Sequence, residues 1–555
     1  MNLGIDFGST YTVISTYRKD LDKVEALEAS EASPYIPSEV ALKGDSYVVG
    51  KAAKGRNGQR GWRCFKGFKM LLSEEDAKNR RTRGYDDVNT PENITSIFLD
   101  RIMSEALADH NETKVGHLVI CVPEIWRKDI NTIDARTKLR DICSRYSFVN
   151  RENTRIVSEP AAASAYFAYN YYLNTGKNFE GNILLIDYGG GTLDITVTNV
   201  RSVTRNDRVL MEILPLERTG AGENKEGRIG SAGIVYMESV VAAAIREAGL
   251  DLSNQELFED PKFLRAVNEF EAMLQSTTQQ ITDAFNEFGD ELDNLDEDED
   301  EYMVLSYKGE DIIITYSLMK KVYDQVIYPV LDSTLDEMLE MMDGRGINYR
   351  NPDAGNFKIA LVGGFGNFCL VDKQIGRKLG WVGMDRAKAG FKLVKGDREK
   401  AVSLGAALLA EGIIDIHNTA PYSIGIYATY SGKEQFNYAF HKGQDIEHGT
   451  VYFPVKADGG VIPYLITSID RFILRFDGER KRDIVANLKP AFRQRMNREL
   501  GGGSIRLGSV GFSLDSSECL SLHFKEYNIL TKQLEGEIKT IELTRLQDLI
   551  EPVQL

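Results

Sequence analysis

Two aspartates stand at the ends of two similar apolar runs, and each is followed directly by a turn that contains glycine. Asp6 lies in the run from Leu3 to Ile14, and Asp187 lies in the run from Leu184 to Thr196. In both runs the apolar residues, the glycines and the return to β-branched residues predict a strand, a tight turn and a second strand. A repeated hairpin of this kind indicates two related lobes.

Two such turns, if they face each other, have the chemistry to hold a nucleoside triphosphate with magnesium. Carboxylates commonly hold Mg²⁺ through its waters, and we assign that role to Asp6 and Asp187. Backbone N–H groups and hydroxyls of the turns would bind the phosphate oxygens. The alternative is two unrelated hairpins whose aspartates only receive turn hydrogen bonds. The turn residues are Gly8, Ser9, Thr10, Tyr11, Gly189, Gly190, Gly191 and Thr192.

The composition sets outer limits on the class of protein. At 555 residues, with 42% hydrophobic and 27% charged residues, we expect a globular chain of at least two domains. The sequence has no apolar run near about 20 residues and no leader-like start, which predicts a cytoplasmic protein that does not enter a membrane. The five cysteines lack CxxC spacing, which argues against a zinc site. A net charge of −16 disfavours nucleic acid as a partner.

The pattern of the chain changes after Glu411, where a short linker precedes short alternating segments typical of a β-sandwich. We therefore expect an α/β domain over 1–411, with lobes of about 1–182 and 183–411, a linker over 412–421, and a β-rich domain over 422–555. The expected strands of the β-rich domain are Ser423 to Tyr427, Phe472 to Phe476, Ser509 to Leu514 and Leu520 to Phe524. The expected helices are Thr95 to Ala108, Gly233 to Ala248, a long stretch around Pro261 to Phe288, and a short one within Leu543 to Ile550.

Three motifs resemble the phosphate-one, phosphate-two and adenosine motifs of the superfamily that contains actin, sugar kinases and the 70-kDa heat-shock chaperones. They are Asp6 to Thr10, Asp187 to Asp194, and Leu361 to Gly364. Further segments resemble the heat-shock (DnaK-type) branch, namely Ser158 to Ala163, Val122-Pro123 and Phe68 to Leu72. The resemblance implies an actin-like ATPase domain of two lobes, built from duplicated ribonuclease-H-like units, followed by a β-sandwich domain.

The resemblance also implies an activity, the slow hydrolysis of ATP to ADP and phosphate with Mg²⁺, and a role for each matched position. Ser9, Thr10 and Tyr11 would hold phosphate, and Gly363, Gly364 and Phe365 would face the nucleoside. Lys69 would orient the attacking water, with Lys66 as a competing candidate. Asp187 and Thr192 would complete the hydrolytic centre, and Glu159 would couple that centre to lobe rotation. Pro123 resembles the family's switch proline, and for Pro123 and Asp194 ordinary loop or strand-end geometry is the alternative.

The adenosine side departs from the family pattern. After Gly364 the family usually has a Ser-Thr-Arg run whose arginine stacks on adenine, whereas this chain has Phe365, Gly366, Asn367 and Phe368. Aligning Leu274 places Asn268, Glu271 and Gln275 where the family has Glu, Lys and Ser. Phe365 or Phe368 would either replace the lost stacking or pack in the core, and the identity of the base stays open.

The C-terminal region resembles the chaperone β-domain at Ala420 to Ile426 and at Ser509 to Asp515. This resemblance implies client polypeptides, a J-domain co-chaperone and a nucleotide exchange factor as partners. The linker lacks the usual leucine-rich run, so a β-sandwich with another use is an alternative; without the family's helical lid, release of a bound peptide would be fast. Two other functions remain open, an actin-like scaffold or filament protein and a small-molecule kinase.

Overall fold

The computed structural model describes residues 1–553 apart from 29–32, 206–207, 224–229, 251, 289–299, 351–355, 381–395, 431, 457–458, 477–482, 502–505 and 544. The chain divides into two compact units. The first comprises Met1–Ile125, Arg145–Asn153 and Val157–Ile416, and the second comprises Trp126–Ser144, Thr154–Ile156 and His417–Leu555. Within the described residues, no helix combines the length and the apolar character that a membrane crossing requires.

The strands follow the apolar and β-branched runs of the sequence. Up to residue 416 they are β1 (Leu3–Phe7), β2 (Tyr11–Arg18), β3 (Lys23–Ala26), β4 (Ile36–Pro37), β5 (Glu39–Lys43), β6 (Ser46–Val49), β7 (Arg63–Lys66), β8 (Leu118–Val122), β9 (Thr154–Ser158), β10 (Gly181–Tyr188), β11 (Leu193–Arg205), β12 (Arg208–Ala221), β13 (Glu301–Tyr307), β14 (Glu310–Thr315), β15 (Phe357–Val362) and β16 (Ile414–Ile416). After it they are β17 (Ser423–Tyr430), β18 (Lys433–Phe440), β19 (Tyr464–Leu465), β20 (Ile469–Arg475), β21 (Ile484–Leu488), β22 (Leu507–Leu514), β23 (Leu520–Asn528), β24 (Gln533–Glu542) and β25 (Ile550–Val553). The four strands expected in the C-terminal region correspond to β17, β20, β22 and β23.

The helices confirm the predicted stretches, with one difference. They are α1 (Gly50–Lys54), α2 (Phe68–Leu71), α3 (Ala77–Thr82), α4 (Pro91–Asp109), α5 (Ile130–Cys143), α6 (Glu159–Thr175), α7 (Gly233–Glu247), α8 (Asn254–Glu259), α9 (Pro261–Ser276), α10 (Thr278–Glu287), α11 (Tyr316–Val322), α12 (Tyr328–Gly344), α13 (Cys369–Leu379), α14 (Ala401–Glu411), α15 (Pro490–Gly501) and α16 (Leu546–Leu549). The long stretch expected around 261–288 is two helices. They meet at Thr277, whose φ of −118° and ψ of 23° are not helical and whose hydroxyl donates to the Met273 carbonyl oxygen.

The first repeated run is a hairpin inside a mixed sheet of the first unit. The sheet has the order β3-β2-β1-β8-β9, with β4 paired to β2. The antiparallel pairing of β1 and β2 places Asp6 opposite Val13, and β8 lies parallel to β1 on the other side. All five residues of β8 are buried, as its apolar run predicts.

The second repeated run forms the same arrangement in a second sheet of the first unit, ordered β15-β10-β11-β12-β16. The hairpin of β10 and β11 places Asp187 opposite Asp194, and β15 lies parallel to β10. In both sheets, therefore, the first strand of the hairpin pairs with an antiparallel partner on one side and a parallel one on the other. The predicted duplication is present in the strand pairing. Two smaller sheets, β6-β5-β7 and β13-β14, complete the unit.

Helix α14 fixes the position of β1 because two glycines allow a very close approach. A Cβ atom on Gly4 would overlap the backbone of Ala407, and a Cβ on Gly405 would overlap the backbone of Ala162 in α6. Ten of the eleven α14 residues, from Ala401 to Ala410, are buried. The strand that carries Asp6 is thus held rigidly against the core of the unit.

The second unit contains two antiparallel sheets that share one core. One sheet has the order β18-β17-β20-β21-β25, and the other has the order β19-β22-β23-β24. Phe472 of the first sheet and Phe512 of the second meet edge to face with ring centroids 5.5 Å apart. This arrangement agrees with the sandwich that the alternating pattern predicts.

The segment 126–144 belongs to the second unit, although its sequence position lies between β8 and β9. Ile130 and Ile133 of α5 belong to the hydrophobic core of the second unit. Arg127 forms a two-bond ion pair with Glu518 at 2.6 and 2.7 Å, and Arg136 lies 3.1 Å from the same carboxylate. Both arginine side chains are at most 6% exposed. Buried, hydrogen-bonded charges of this kind tie α5 to the turn between β22 and β23.

Asp134 of α5 closes the N-terminus of α16 by accepting hydrogen bonds from the backbone N–H groups of Leu546 and Gln547 at 2.5 and 3.0 Å. Burial raises the pKa of Asp134 to about 7, although these bonds and the nearby Arg545 and Lys138 act in the opposite direction. In the unfolded chain the pKa of an aspartate carboxyl is about 3.9. Between these values the folded chain binds a proton that the unfolded chain lacks, so this group's contribution to stability falls as the pH rises from about 4 through about 7.

Asp134→Asn is therefore expected to flatten the pH dependence of the second unit's stability and to raise its stability at pH 8, because the amide oxygen still caps the helix and no charge is buried. Urea unfolding of both proteins at pH 5 and pH 8, followed by hydrogen exchange of the β25 amides, measures the difference. A variant that is less stable at pH 8 would mean that the ionised carboxylate stabilises the cap.

Candidate functional site

A cavity of about 1250 Å³ in the first unit contains the site predicted from the two turns. All fifteen residues assigned to binding, metal or catalytic roles line it. They are Asp6, Gly8, Ser9, Thr10, Tyr11, Lys69, Glu159, Asp187, Gly189, Gly190, Gly191, Thr192, Gly363, Gly364 and Phe365. Residues separated by more than 350 positions are thus brought to one cavity by β1, β10, β15 and their turns.

The two glycine-containing turns face each other closely. A Cβ atom on Gly190 would overlap the Thr10 hydroxyl, and a Cβ on Gly191 would overlap the Ser9 side chain. Glycine at these positions is required because the opposite turn occupies the space of a side chain. The Thr10 hydroxyl is buried and makes no hydrogen bond among the described residues. A buried hydroxyl with an unmet hydrogen-bond requirement is suited to a polar ligand in the cavity.

Three carboxyl groups, those of Asp6, Glu159 and Asp187, line the cavity together with the amine of Lys69. Lys69 donates to Glu159, and the two side chains are 3% and 7% exposed. Burial, with help from Glu159, raises the pKa of Asp6 to about 7, and burial together with Glu159 and Asp6 raises the pKa of Asp187 well above its usual value. Burial alone would lower the pKa of Lys69, but the surrounding carboxylates outweigh it and raise that pKa.

This excess of buried carboxyl groups fits a divalent cation, because a cation would favour their ionised forms. In the part of the chain that the structure describes, no three His, Cys, Asp or Glu side chains converge closely enough to ligate one metal ion directly. The donor set therefore suits Mg²⁺ held through water by Asp6 and Asp187, which is the mode Mg²⁺ commonly adopts. The residues present fit the predicted ion.

Lys69 and Lys66, the two candidates for the catalytic lysine, occupy different environments. Lys69 is buried and lines the cavity. Lys66 donates to Asn268 and lies 3.6 Å from Glu39, outside the cavity lining. The placement favours Lys69.

Asp194 and Pro123 lie behind the cavity and do not line it. The Ile125 N–H donates to one carboxylate oxygen of Asp194 at 3.4 Å, and the other oxygen is buried with no hydrogen-bond partner among the described residues. Burial, Glu159 and Glu124 raise the pKa of Asp194 well above its usual value. The Asp194 bond connects the second hairpin to the turn after β8.

The cavity wall beside Gly363 and Gly364, where the resemblance places the nucleoside, is aromatic. Phe365 and Phe368 both line it, and their rings stack with centroids 5.5 Å apart. The same rings pack on Tyr236 at 5.4 and 5.2 Å. The two possibilities raised by the sequence, a cavity wall and a core contact, are therefore combined in one cluster. Gly363, with φ of +80°, makes the turn that leads into it.

Three residues outside the motifs, Lys54, Arg398 and Glu399, also line the cavity. Arg398 lines the cavity, and its guanidinium donates to the Asn367 side-chain oxygen at 3.1 Å. Asn367 in turn donates to Glu399 at 3.3 Å, and the second Glu399 oxygen is buried without a partner in the described chain. Lys54 bonds both Glu271 and the Tyr11 hydroxyl at 3.1 Å. Of the helix positions aligned through Leu274, Glu271 and Gln275 line the cavity and Asn268 does not.

The comparisons with known proteins agree with the motifs. Residues 65–204, which include Lys69, Glu159 and the second turn, match the family model described as Hsp70 protein. The chaperone protein DnaK of Metamycoplasma hominis is 29% identical over 206 residues, which cover 36% of this chain and 31% of that protein. The matched region is thus about a third of the relative's length. The resemblance predicted from the motifs is confirmed, and over the matched residues this chain is similar to, and divergent from, Hsp70 proteins.

Proposed function

We propose that this chain is an ATP-binding and ATP-hydrolysing chaperone of the Hsp70 type, with an actin-like nucleotide domain over 1–411, a linker over 412–421 and a substrate-binding β-domain over 422–555. The observation that carries the proposal is the convergence of all fifteen predicted residues on one cavity. A cavity of about 1250 Å³ is ample for a nucleoside triphosphate, since ligand sites commonly measure about 300–1,000 Å³.

The turns bind the phosphates in this proposal. Ser9, Thr10 and Thr192 offer hydroxyls, and the glycines of both turns let backbone N–H groups approach the phosphate oxygens. Asp6 and Asp187 would hold Mg²⁺ through its waters, an arrangement that would supply positive charge to the bound triphosphate. Phe365 and its neighbours face the nucleoside.

Hydrolysis then requires little covalent chemistry from the protein, because phosphoryl transfer depends mainly on positioning and charge neutralisation. Lys69 places a positive charge beside the γ-phosphate and helps to orient the attacking water. Glu159 holds the Lys69 amine in position through their buried bond. Asp187 and Thr192 complete the centre.

The client is a polypeptide segment bound by the C-terminal β-domain, with a J-domain co-chaperone and a nucleotide exchange factor as further partners. An extended peptide would gain affinity from backbone hydrogen bonds and specificity from apolar pockets. If nucleotide and peptide sites are coupled, each must change the other's affinity. The test is steady-state ATP hydrolysis, and nucleotide affinity, with and without an unfolded peptide. If an unfolded peptide changes neither ATP hydrolysis nor nucleotide affinity, the chaperone proposal is wrong. The proposal of ATP hydrolysis is not affected by that result.

Arg398 is expected to supply the stacking cation that the Phe365–Phe368 segment lacks, because Asn367 orients its guanidinium at the cavity wall. A cation on an aromatic face contributes about 0.5–1 kcal/mol, so Arg398→Ala should weaken ATP binding about twofold to fivefold. Tripolyphosphate, which has no base, should bind equally well to both proteins. Calorimetric titration measures both ligands.

The matched control is Lys400→Ala, which changes a basic residue on the same turn that does not line the cavity. Adding Asn367→Arg to Arg398→Ala should restore ATP affinity by returning a guanidinium to this wall. If Arg398→Ala weakened the binding of ATP and of tripolyphosphate equally, a contact between Arg398 and the nucleobase would be contradicted.

A further inference from the structure

A group of exposed basic side chains lies on and beside the small sheet β6-β5-β7 of the first unit, and its members Lys43, Arg56 and Arg60 do not line the cavity. Lys43 and Arg56 both lie over the ring of Trp62, with Nζ 5.9 Å and Cζ 5.0 Å from its centroid. The two charges are therefore within about 11 Å of each other, close to one Debye length at 0.1 M salt. Each feels the other's repulsion, and an anion placed between them would be attracted by both.

The local sequence concentrates positive charge in an otherwise acidic chain. From residue 43 to residue 66 there are seven basic residues and one acidic residue, Asp45, whereas the whole chain carries −16. Such a local excess of basic residues favours a negatively charged partner at this sheet. The segment is positioned by β5, β7 and the turn at Gly61, which lies against the Lys43 side chain.

Six of the seven basic residues of this segment fall into two groups according to their partners, and the seventh, Lys51, lines the cavity. Three have carboxylates nearby: Lys54 with Glu271, Arg63 with Asp86, and Lys66 with Glu39. Lys43, Arg56 and Arg60 are exposed, and no carboxylate of the described chain lies within salt-bridge distance of them. The bond that Arg56 makes is to the neutral Gln59 amide oxygen at 3.1 Å.

We propose that Lys43 and Arg56, arranged around Trp62 with Arg60 beside them, bind an acidic peptide segment of a partner protein. In an extended peptide, side chains two residues apart lie on the same face at about 6.5–7 Å. Two carboxylates at such a spacing match a pair of cations held within about 11 Å. The Trp62 ring keeps the two long side chains in place and lowers the entropy lost on binding.

A peptide fits this surface better than a nucleic acid does. Proteins that bind single strands use successive aromatic rings on which bases stack, together with a charged groove that follows the backbone. Trp62 is a single ring, and the side chains of Lys43 and Arg56 already lie over it. Beyond this segment the net negative charge of the chain opposes a long polyanion, while a short acidic stretch stays within the local field.

The test is fluorescence anisotropy of a fluorescein-labelled octaglutamate peptide titrated with the full chain at 50 and 200 mM salt. We expect the affinity for the peptide to fall as the salt concentration rises. It should be at least tenfold lower in Lys43→Glu/Arg56→Glu. The matched control is Lys433→Glu/Lys532→Glu, which makes the same change in net charge at two exposed lysines of the second unit and should stay within twofold of the unmodified chain.

A second variant, Lys43→Gln/Arg56→Gln, keeps the test valid if charge reversal disturbs folding, and circular dichroism confirms that each protein is folded. The proposal is overturned if the peptide does not bind at 50 mM salt, if the control variant weakens binding as much, or if oligodeoxythymidylate of eight residues binds more tightly than the peptide. Tighter binding of the oligonucleotide would assign the surface to nucleic acid.

Discussion

Lys69→Ala is expected to reduce ATP hydrolysis about 100-fold or more, the loss typical of removing one group that stabilises developing charge. The Lys69 amine is buried at the base of the cavity beside Glu159 and close to Asp6. In the proposed site its removal would take away the charge next to the γ-phosphate, while the turns proposed to hold the phosphates would stay in place. Binding of ATP should therefore change by much less than turnover, and single-turnover hydrolysis compared with calorimetric binding separates the two effects.

Lys66→Ala is the matched control, because the two lysines lie three positions apart and the sequence alone leaves both as candidates. The structure places Lys66 against Asn268 and Glu39, outside the cavity lining. Turnover of this variant should stay within about threefold of the unmodified protein. If Lys66→Ala abolished hydrolysis and Lys69→Ala did not, the assignment of the catalytic lysine would be reversed.

Glu518→Gln is expected to lower the free energy of unfolding of the second unit by about 3 kcal/mol or more, because removing one member of a buried ion pair leaves uncompensated charge. Arg127 and Arg136 both lie on the Glu518 carboxylate and are almost fully buried. Because Gln keeps the shape of the side chain, a lower free energy of unfolding is due to the removed charge. Hydrogen exchange of the β22 and β23 amides under urea measures the stability of this unit.

The control for this prediction is Glu499→Ala, which breaks an exposed pair with Arg495 in α15 at 3.0 Å. Exposed pairs contribute about 0–1 kcal/mol, so this change should be close to neutral. Equal effects of the two substitutions would show that the buried pairs do not hold α5 in the second unit.

The turns and their chemistry were predictable from the sequence because they depend on local rules. A glycine cluster after an apolar strand restricts the backbone to a few conformations, and the duplication pairs one aspartate with the other. The strand ends at Asp6 and Asp187 were therefore visible in the residues alone, as was the expectation that both face one ligand. The positions of Lys69 and Glu159 came from the resemblance, and their buried bond is a finding of the structure.

Other features depend on long-range packing, which a local sequence pattern does not predict. Arg398 reaches the cavity wall through Asn367, which is 31 positions away, and an isolated exposed arginine gives no sequence signal. The break of the helix at Thr277 arises where a polar residue turns its hydroxyl back on the preceding turn, within a stretch whose periodicity is otherwise continuous. Helix α5 lies in the second unit because of charge pairs with residues more than 370 positions later, which a boundary drawn at 412–421 does not anticipate.

The central claim is that magnesium and a nucleoside triphosphate are held between the two opposed turns, and calorimetric titration of ATP tests it most directly. The account predicts binding in magnesium buffer that is at least tenfold weaker in EDTA and at least tenfold weaker in Asp6→Asn/Asp187→Asn. Absence of binding by ATP or any other nucleoside triphosphate in magnesium buffer would contradict it, and so would affinity that neither EDTA nor the double substitution changes.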